Sequence, residues 1–328
     1  MNRRTGVAVV AGALVAAVAA RLLVIRSIDG AFEVGWPEPP LGSFRLWATG
    51  SALAAGAGLG ASGAVLQSIL RNPLASPFVL GVSSGAGAGV AIASVLAAAA
   101  GASAPSGAGA VVPAALGALA ALAAVLALSI RHGRVDPITM VLGGIVVGTV
   151  AAAASVLAES MLGPERRGML AAWLFGRIPD TPEPGLVATC AASALGLTTL
   201  ASLWGPRLDA AALGDDEART LGVPLGTTRA VLLVASGVTT ACTVMLCGPI
   251  AFIGLLAPHL ARAAVGARHR GMVVGSAVAG AALLVGADAV RQWVDVSGGR
   301  LPLGAVTAAV GGGAFLLLLR RMSWGWSR

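Results

Sequence analysis

The chain has 328 residues, 57% of them hydrophobic and 11% charged, with a net charge of +8, a mean hydropathy of +0.87 and no tyrosine. A soluble domain of this size needs far more polar surface, so the composition excludes one and points to an α-helical membrane protein. All 22 basic residues are arginine. A chain without lysine cannot hold the phosphate-cradling loop G-x-x-x-x-G-K-[ST], so any nucleotide that drives this protein sits on another subunit. A positive-inside bias accounts for the positive charge without nucleic acid.

Crossing a hydrocarbon core of about 30 Å takes about 20 helical residues. Ten apolar runs are read as spans: 5–25, 48–67, 78–99, 110–130, 137–161, 186–204, 228–247, 250–265, 272–294 and 303–320. The first run follows two arginines and ends in small residues before Arg21, a pattern that also fits a secretory signal. Retention as a first span is the preferred reading, because an even number of spans fits the arginine bias. With the N-terminus inside, fourteen arginines fall in inner segments and eight in outer ones, which places both termini in the cytoplasm.

Along the chain, the spacings Gly56/Gly60, Gly81/Gly85/Gly89 and Gly144/Gly148 allow close approach of helix backbones. Gly58, Gly60 and Gly63 spell GxGxxG, but no strand precedes them, so a dinucleotide site is not expected. Residues 101–110 form a short outer turn, and the middle of 162–185, with Trp173 and Phe175, reads as an interfacial helix. Cys190, Cys242 and Cys247 lie in apolar runs and read as structural thiols. His132, His259 and His269 are too scattered for a metal site. The eighth run carries Pro249 and Pro258 and is expected to be broken or tilted.

Residues 208–223, LDAAALGDDEARTLGV, concentrate charge that the rest of the chain lacks. The surrounding loop, 205–229, contains two short helical patterns on either side of Gly214. Asp215, Asp216 and Glu217 would open the second helix, where carboxylates complement the helix dipole. Arg219 is either a partner contact or an internal pair for these acids. Asp288 is the one carboxylate deep in a span, where an unpaired acid costs about 2.5–3.5 kcal/mol. It reads as a structural partner of Arg291 one turn on; a proton relay is the rival reading.

Four ordered blocks carry a family resemblance. They are GASGAVLQSILRNPLASPFVLG at 60–81, the 208–223 stretch, CGPIAFIGLLAPHLAR at 247–262 and RLPLGAVTAAVGGGAFLLLLRR at 300–321. Together they resemble the permease subunits of the iron-siderophore and cobalamin ABC importers. The resemblance implies an all-α polytopic permease of type II importer architecture with about ten transmembrane helices, in one domain over 1–328. Its partners would be two ATPase subunits, which carry ATP and Mg, and a second permease copy or homologue. A soluble or lipid-anchored substrate-binding protein and membrane lipid complete the set. The chain itself would hold no cofactor and no metal, would catalyse no reaction and would sit in the plasma (cytoplasmic) membrane.

By the same resemblance, Leu213, Gly214, Asp215, Asp216, Glu217 and Arg219 form the coupling surface for the ATPase. Asn72, Pro73 and Leu74 belong to the inner gate, and Gly144, Gly148 and Thr149 line the path. On the outer face, an RLPR motif becomes Arg45-Leu46-Trp47-Ala48, so its first arginine is kept and its second lost. Arg45, Arg291 and an added Arg300 are the expected contacts for the binding protein. The cargo would be a ferric siderophore or a cobalamin- or haem-like ligand. A secondary transporter using Asp288 is the alternative from another class.

Overall fold

The structure is a computed structural model that describes residues 3–26, 31–105, 107–131, 134–296 and 299–323. Its helices are α1 (Arg3–Leu23), α2 (Leu41–Ile69), α3 (Val82–Ala99), α4 (Val111–Ser129), α5 (Pro137–Ser160), α6 (Pro164–Leu174) and α7 (Pro184–Leu203). They continue with α8 (Gly205–Leu213), α9 (Asp215–Thr220), α10 (Leu225–Cys247), α11 (Ile253–Val265), α12 (His269–Trp293) and α13 (Leu303–Ser323). Every predicted span has its helix. Eight are long and apolar enough to cross a membrane, while α11 and the apolar stretch of α13, Leu303–Leu317, are shorter. α6 is the short helix expected between spans five and six. Among the described residues, three antiparallel strand pairs, β1–β2 (Val24–Arg26, Phe32–Val34), β3–β4 (Ile130–Arg131, Arg134–Val135) and β5–β6 (Asp295–Val296, Gly299–Arg300), lie between helices.

α2 is the centre of the bundle. Ala48, Ala52, Ala55, Ala61, Ala64 and Val65 are all fully buried, and the helix packs on α7, α10, α11 and α12. Alanine and glycine suit this role, since lipid offers no hydrophobic drive and close van der Waals contact between backbones holds the helices together. A Cβ on Gly60 would lie 2.1 Å from the Ser276 carbonyl oxygen of α12, and one on Gly63 would lie 1.8 Å from the Gly254 oxygen of α11. The GxGxxG pattern is thus a packing surface.

α2 begins seven residues before the predicted run. Its polar first turns are accommodated because Arg45 Nη1 donates to the carbonyl oxygens of Leu22 and Val24, 3.2 and 3.1 Å away, at the end of α1. Those carbonyls have no partner within α1, so a basic side chain reaching them satisfies both elements.

α11 is broken at its start, as its prolines suggest. Residues 248–252 are irregular, with Phe252 in the left-handed region (φ 67), before the helix starts at Ile253. Irregular backbone at this depth is tolerated because the segment is enclosed by protein. Cys247 O accepts from Arg177 N at 2.7 Å. Pro258 has no N–H to give to the Gly254 carbonyl one turn back. That carbonyl faces Gly63, and Gln67 Nε2 of α2 donates to the neighbouring Leu255 oxygen at 3.3 Å.

Candidate functional site

Consecutive helices run alternately, so the turn after α2, the α8–α9 pair and the α11–α12 turn share one end of the bundle. We refer to this as the loop end. α8 and α9 meet at Gly214, whose extended backbone (φ 163) divides them. The two short helices fold over a small apolar core of Ala210, Ala211, Ala218 and Leu225. Asp215, Asp216 and Glu217 occupy the first turn of α9, where the free N–H groups favour negative charge.

The inner and outer sides of the pair differ. Leu213 and Leu221 are exposed at 71% and 64%, and Asp216, Glu217 and Arg219 lie on the exposed side with them. Arg219 pairs with Asp216 at 3.1 Å, and both side chains remain open to solvent. Asp215 points the other way. Arg229 of α10 grips both its carboxylate oxygens at 2.8 and 2.9 Å, and Arg71, just past α2, bonds Oδ1 as well. The hydrogen bonds from Arg229, with the charges of Arg229 and Arg71, hold the Asp215 carboxyl below the usual carboxylate range, against the upward pull of burial. Asp215 is therefore an internal anchor of the loop and not part of its free face. Sequence reasoning treated Arg71 and Arg229 only as inside charges and missed this cluster.

α8 has a second anchor. The Asp209 carboxylate accepts from the His269 backbone N–H at 3.1 Å and lies 2.6 Å from Nδ1 of the same residue, at the start of α12. Arg207 stacks its guanidinium over Trp204 at 4.6 Å. Between these anchors a cleft of about 510 Å³ separates α8 from the end of α2 and the α11–α12 turn, lined by Gln67, Arg71, Asp209 and Arg262 among others.

The residues expected at the gate lie in the turn after α2, beside this loop, and the segment that follows them packs against α5, which carries those expected along the path. Asn72 Oδ1 accepts from Leu74 N at 2.9 Å, a side-chain-stabilised turn that leaves Pro73 and Leu74 exposed. A single 3-10 turn, Pro77–Leu80, then leads to Gly81. Gly81 has a φ of +68, which glycine adopts without penalty, and a Cβ there would crowd the Gly144 carbonyl and the Gly148 amide of α5 at 3.2 and 3.1 Å. Gly144 is thus buried in helix packing, while Thr149 is exposed and its hydroxyl donates to the Ile145 oxygen at 2.8 Å.

At the opposite end the three expected docking arginines fare differently. Arg45 is half-buried and occupied in capping α1. Arg291 is 6% exposed and its Nη2 lies 2.9 Å from Asp288 Oδ1, the pairing expected for that acid. Arg291 is therefore a counter-ion inside the bundle and not a surface contact. The Arg300 backbone closes β6, and its side chain lies outside the described residues. Asp288 is fully buried and has a second partner, Arg21 of α1. That pair, with the close crossing of Gly6 on the Ala264 carbonyl, packs α1 against α12 and α11.

Comparisons with known proteins agree with this geometry. The sequence pattern of the FecCD transport family matches residues 38–321. The chain is 34% identical over 292 residues to the cobalamin import system permease protein of Halobacterium salinarum, covering 88% of this chain and 76% of that one. It is 35% identical over 273 residues to the Fe(3+)-citrate import system permease protein of Bacillus subtilis, covering 82% and 78%. Its fold is similar to a solved inward-facing metal-chelate type ABC transporter, with a TM-score of 0.83 and 26% identity over 97% of this chain and 99% of the other. The chain is a multi-span ABC importer permease and belongs to the FecCD transport family.

Proposed function

We propose that this permease moves a ferric siderophore, or a similar metal chelate such as a corrinoid or haem, into the cytoplasm, driven by ATP on a separate subunit. The similarity to permeases for cobalamin and Fe(3+)-citrate supports the ligand class. In this reading the loop end and both termini face the cytoplasm, in keeping with the fourteen-to-eight arginine bias. Two permease copies, or this chain and a homologue, enclose the path. Two ATPase subunits sit on the α8–α9 pairs.

The observation that carries the proposal is the outer side of α8–α9. Exposed leucines at 213 and 221 flank Asp216, Glu217 and Arg219 on a surface that the fold itself leaves uncovered. Apolar anchors rimmed by charge are the usual composition of a protein-binding face. ATP and Mg belong to the partner, since the chain has no lysine for a phosphate loop. Leu74 with Asn72 and Pro73 closes the cytoplasmic mouth, and the exposed side of α5 around Thr149 lines the path beside Gly144 and Gly148. The binding protein docks at the opposite end, near Arg45 and Arg300.

Co-purification tests the reading. Purified permease should retain its ATPase subunit, and the double variant Asp216→Arg with Glu217→Arg should release it while the permease keeps its melting temperature. Unchanged association in that variant would contradict docking at α8–α9.

A further inference from the structure

We propose that Arg71 is a positioning residue that ties movement of the α8–α9 pair to the Asn72–Pro73–Leu74 turn. The inference rests on the reading that an ATPase subunit moves α8–α9.

Arg71 comes one residue after Leu70, the C-cap of α2, and has a φ of 48. This is the left-handed position after a helix that glycine usually fills, and an arginine there is uncommon. The backbone is held by Arg71 N donating to Ser68 O at 3.3 Å and Asn72 N donating to Gln67 O at 3.2 Å. From that fixed base the guanidinium reaches across the Gly214 break. Its Nε donates to the Ala211 carbonyl in the last turn of α8 at 2.8 Å, and its Nη2 bonds the Asp215 carboxylate at the start of α9. One planar fork thus holds both halves of the pair. A lysine, with a single point of charge, could not hold both in this geometry.

The other attachments of α8–α9 lead elsewhere. Asp209 ties α8 to His269 at the start of α12, and Arg229 ties Asp215 to α10. Arg71 alone among these cations adjoins the turn. The turn is stiff over the next residues, because Leu74 N is held by Asn72 Oδ1 at 2.9 Å and Ala75 N by Asn72 O at 3.0 Å. A displacement of Arg71 is therefore passed to Leu74, which is 47% exposed. Beyond it, the same segment reaches Gly81 and its contact with Gly144 and Gly148 of α5. The cleft of about 510 Å³ behind α8 leaves room for the pair to shift against the bundle.

The pair Arg71–Asp215 is itself open to water, at 38% and 35% exposure, so it contributes little to folding. That separates a positioning role from a structural one. The test uses the assembled complex of permease and ATPase subunit with a single reporter, Leu74→Cys, and a membrane-impermeant maleimide. Cys190, Cys242 and Cys247 are buried and should stay silent. ATP should change the labelling rate of the reporter several-fold. Adding Arg71→Gln should abolish that change while ATP hydrolysis, subunit association and melting temperature hold. Adding Arg229→Gln, which leaves the Arg71 contact in place, should preserve the response. Retention of the ATP response in Arg71→Gln, or its equal loss in Arg229→Gln, would overturn the assignment. If the unmutated permease retains no ATPase subunit, the functional reading falls, and this inference with it.

Discussion

Among the described residues, two aspartates are each held between two arginines, one fully buried and one partly open to water. Asp288 is sealed between Arg21 of α1 and Arg291 of α12 with no exposure, whereas Asp215 meets Arg71 and Arg229 at the loop end and is about one-third exposed. The chemistry is the same and the consequences differ. Removing one partner of a buried ion pair leaves an uncompensated charge in a low dielectric, a cost of about 3–5 kcal/mol. An ion pair in contact with water is screened and contributes about 0.2–1 kcal/mol. The buried cluster fastens α1 to α12 for good. The open cluster, with Asp215 and Arg71 in contact with water and Arg229 largely buried, is the weaker of the two. Asp288 is thus committed to two fixed cations, which removes the reason for reading it as a proton relay.

The largest expected effect follows from the buried side. Asp288→Leu leaves Arg21 and Arg291 without a counter-ion and should destabilise the bundle by about 3–5 kcal/mol, read as loss of the folded peak in size-exclusion chromatography and a fall in melting temperature. An unchanged melting temperature would erase the contrast between the two clusters. Next comes Gly63→Ala, whose new methyl would lie 1.8 Å from the Gly254 oxygen. Parting α2 from α11 at that point should cost about 1–3 kcal/mol, measured in the same melts. The first change acts through buried charge and the second through packing, and both should lower the amount of protein in the membrane.

Changes at the open cluster should be smaller and of another kind. Asp215→Asn should lower the melting temperature less than Asp288→Leu does, since Asp215 and Arg71 are in contact with water while Arg229 is largely buried. The pH dependence has a definite sign. Because Arg229 and Arg71 depress the folded-state pKa of Asp215, its contribution is present above the usual carboxylate pKa of about 4 and fades as pH falls below it. Wild type and Asp215→Asn should therefore converge in melting temperature on acidification through that range. A gap that widens with acid would show that the carboxylate is not stabilised by its arginines.

Much of this organisation is legible in the sequence because membrane helices are written as long apolar runs and because glycine and proline punctuate them. The ten spans, the α6 helix and the two short helices around Gly214 were all visible on those grounds. So was the break before α11, from Pro249 and Pro258. Asp288 with Arg291 was legible as a pair because three residues of helix bring them to one face. The partners Arg21 and Arg71 were not, since they lie 267 and 144 positions from the acids they bind. Local pattern registers such arginines only as topology signals. For the same reason Arg45 and Arg291 looked like outward contacts, when tertiary structure turns one to a helix terminus and the other to a buried acid. A tally of arginines at the two faces conceals which of them are committed to partners inside the bundle.

The central claim is tested most directly by reconstituting the permease in liposomes with its ATPase subunit and binding protein and following uptake of the chelate that the binding protein captures. Uptake should require ATP and both partners, and should be indifferent to a proton gradient. Uptake by the permease alone, driven by a proton gradient without ATP, would contradict the account.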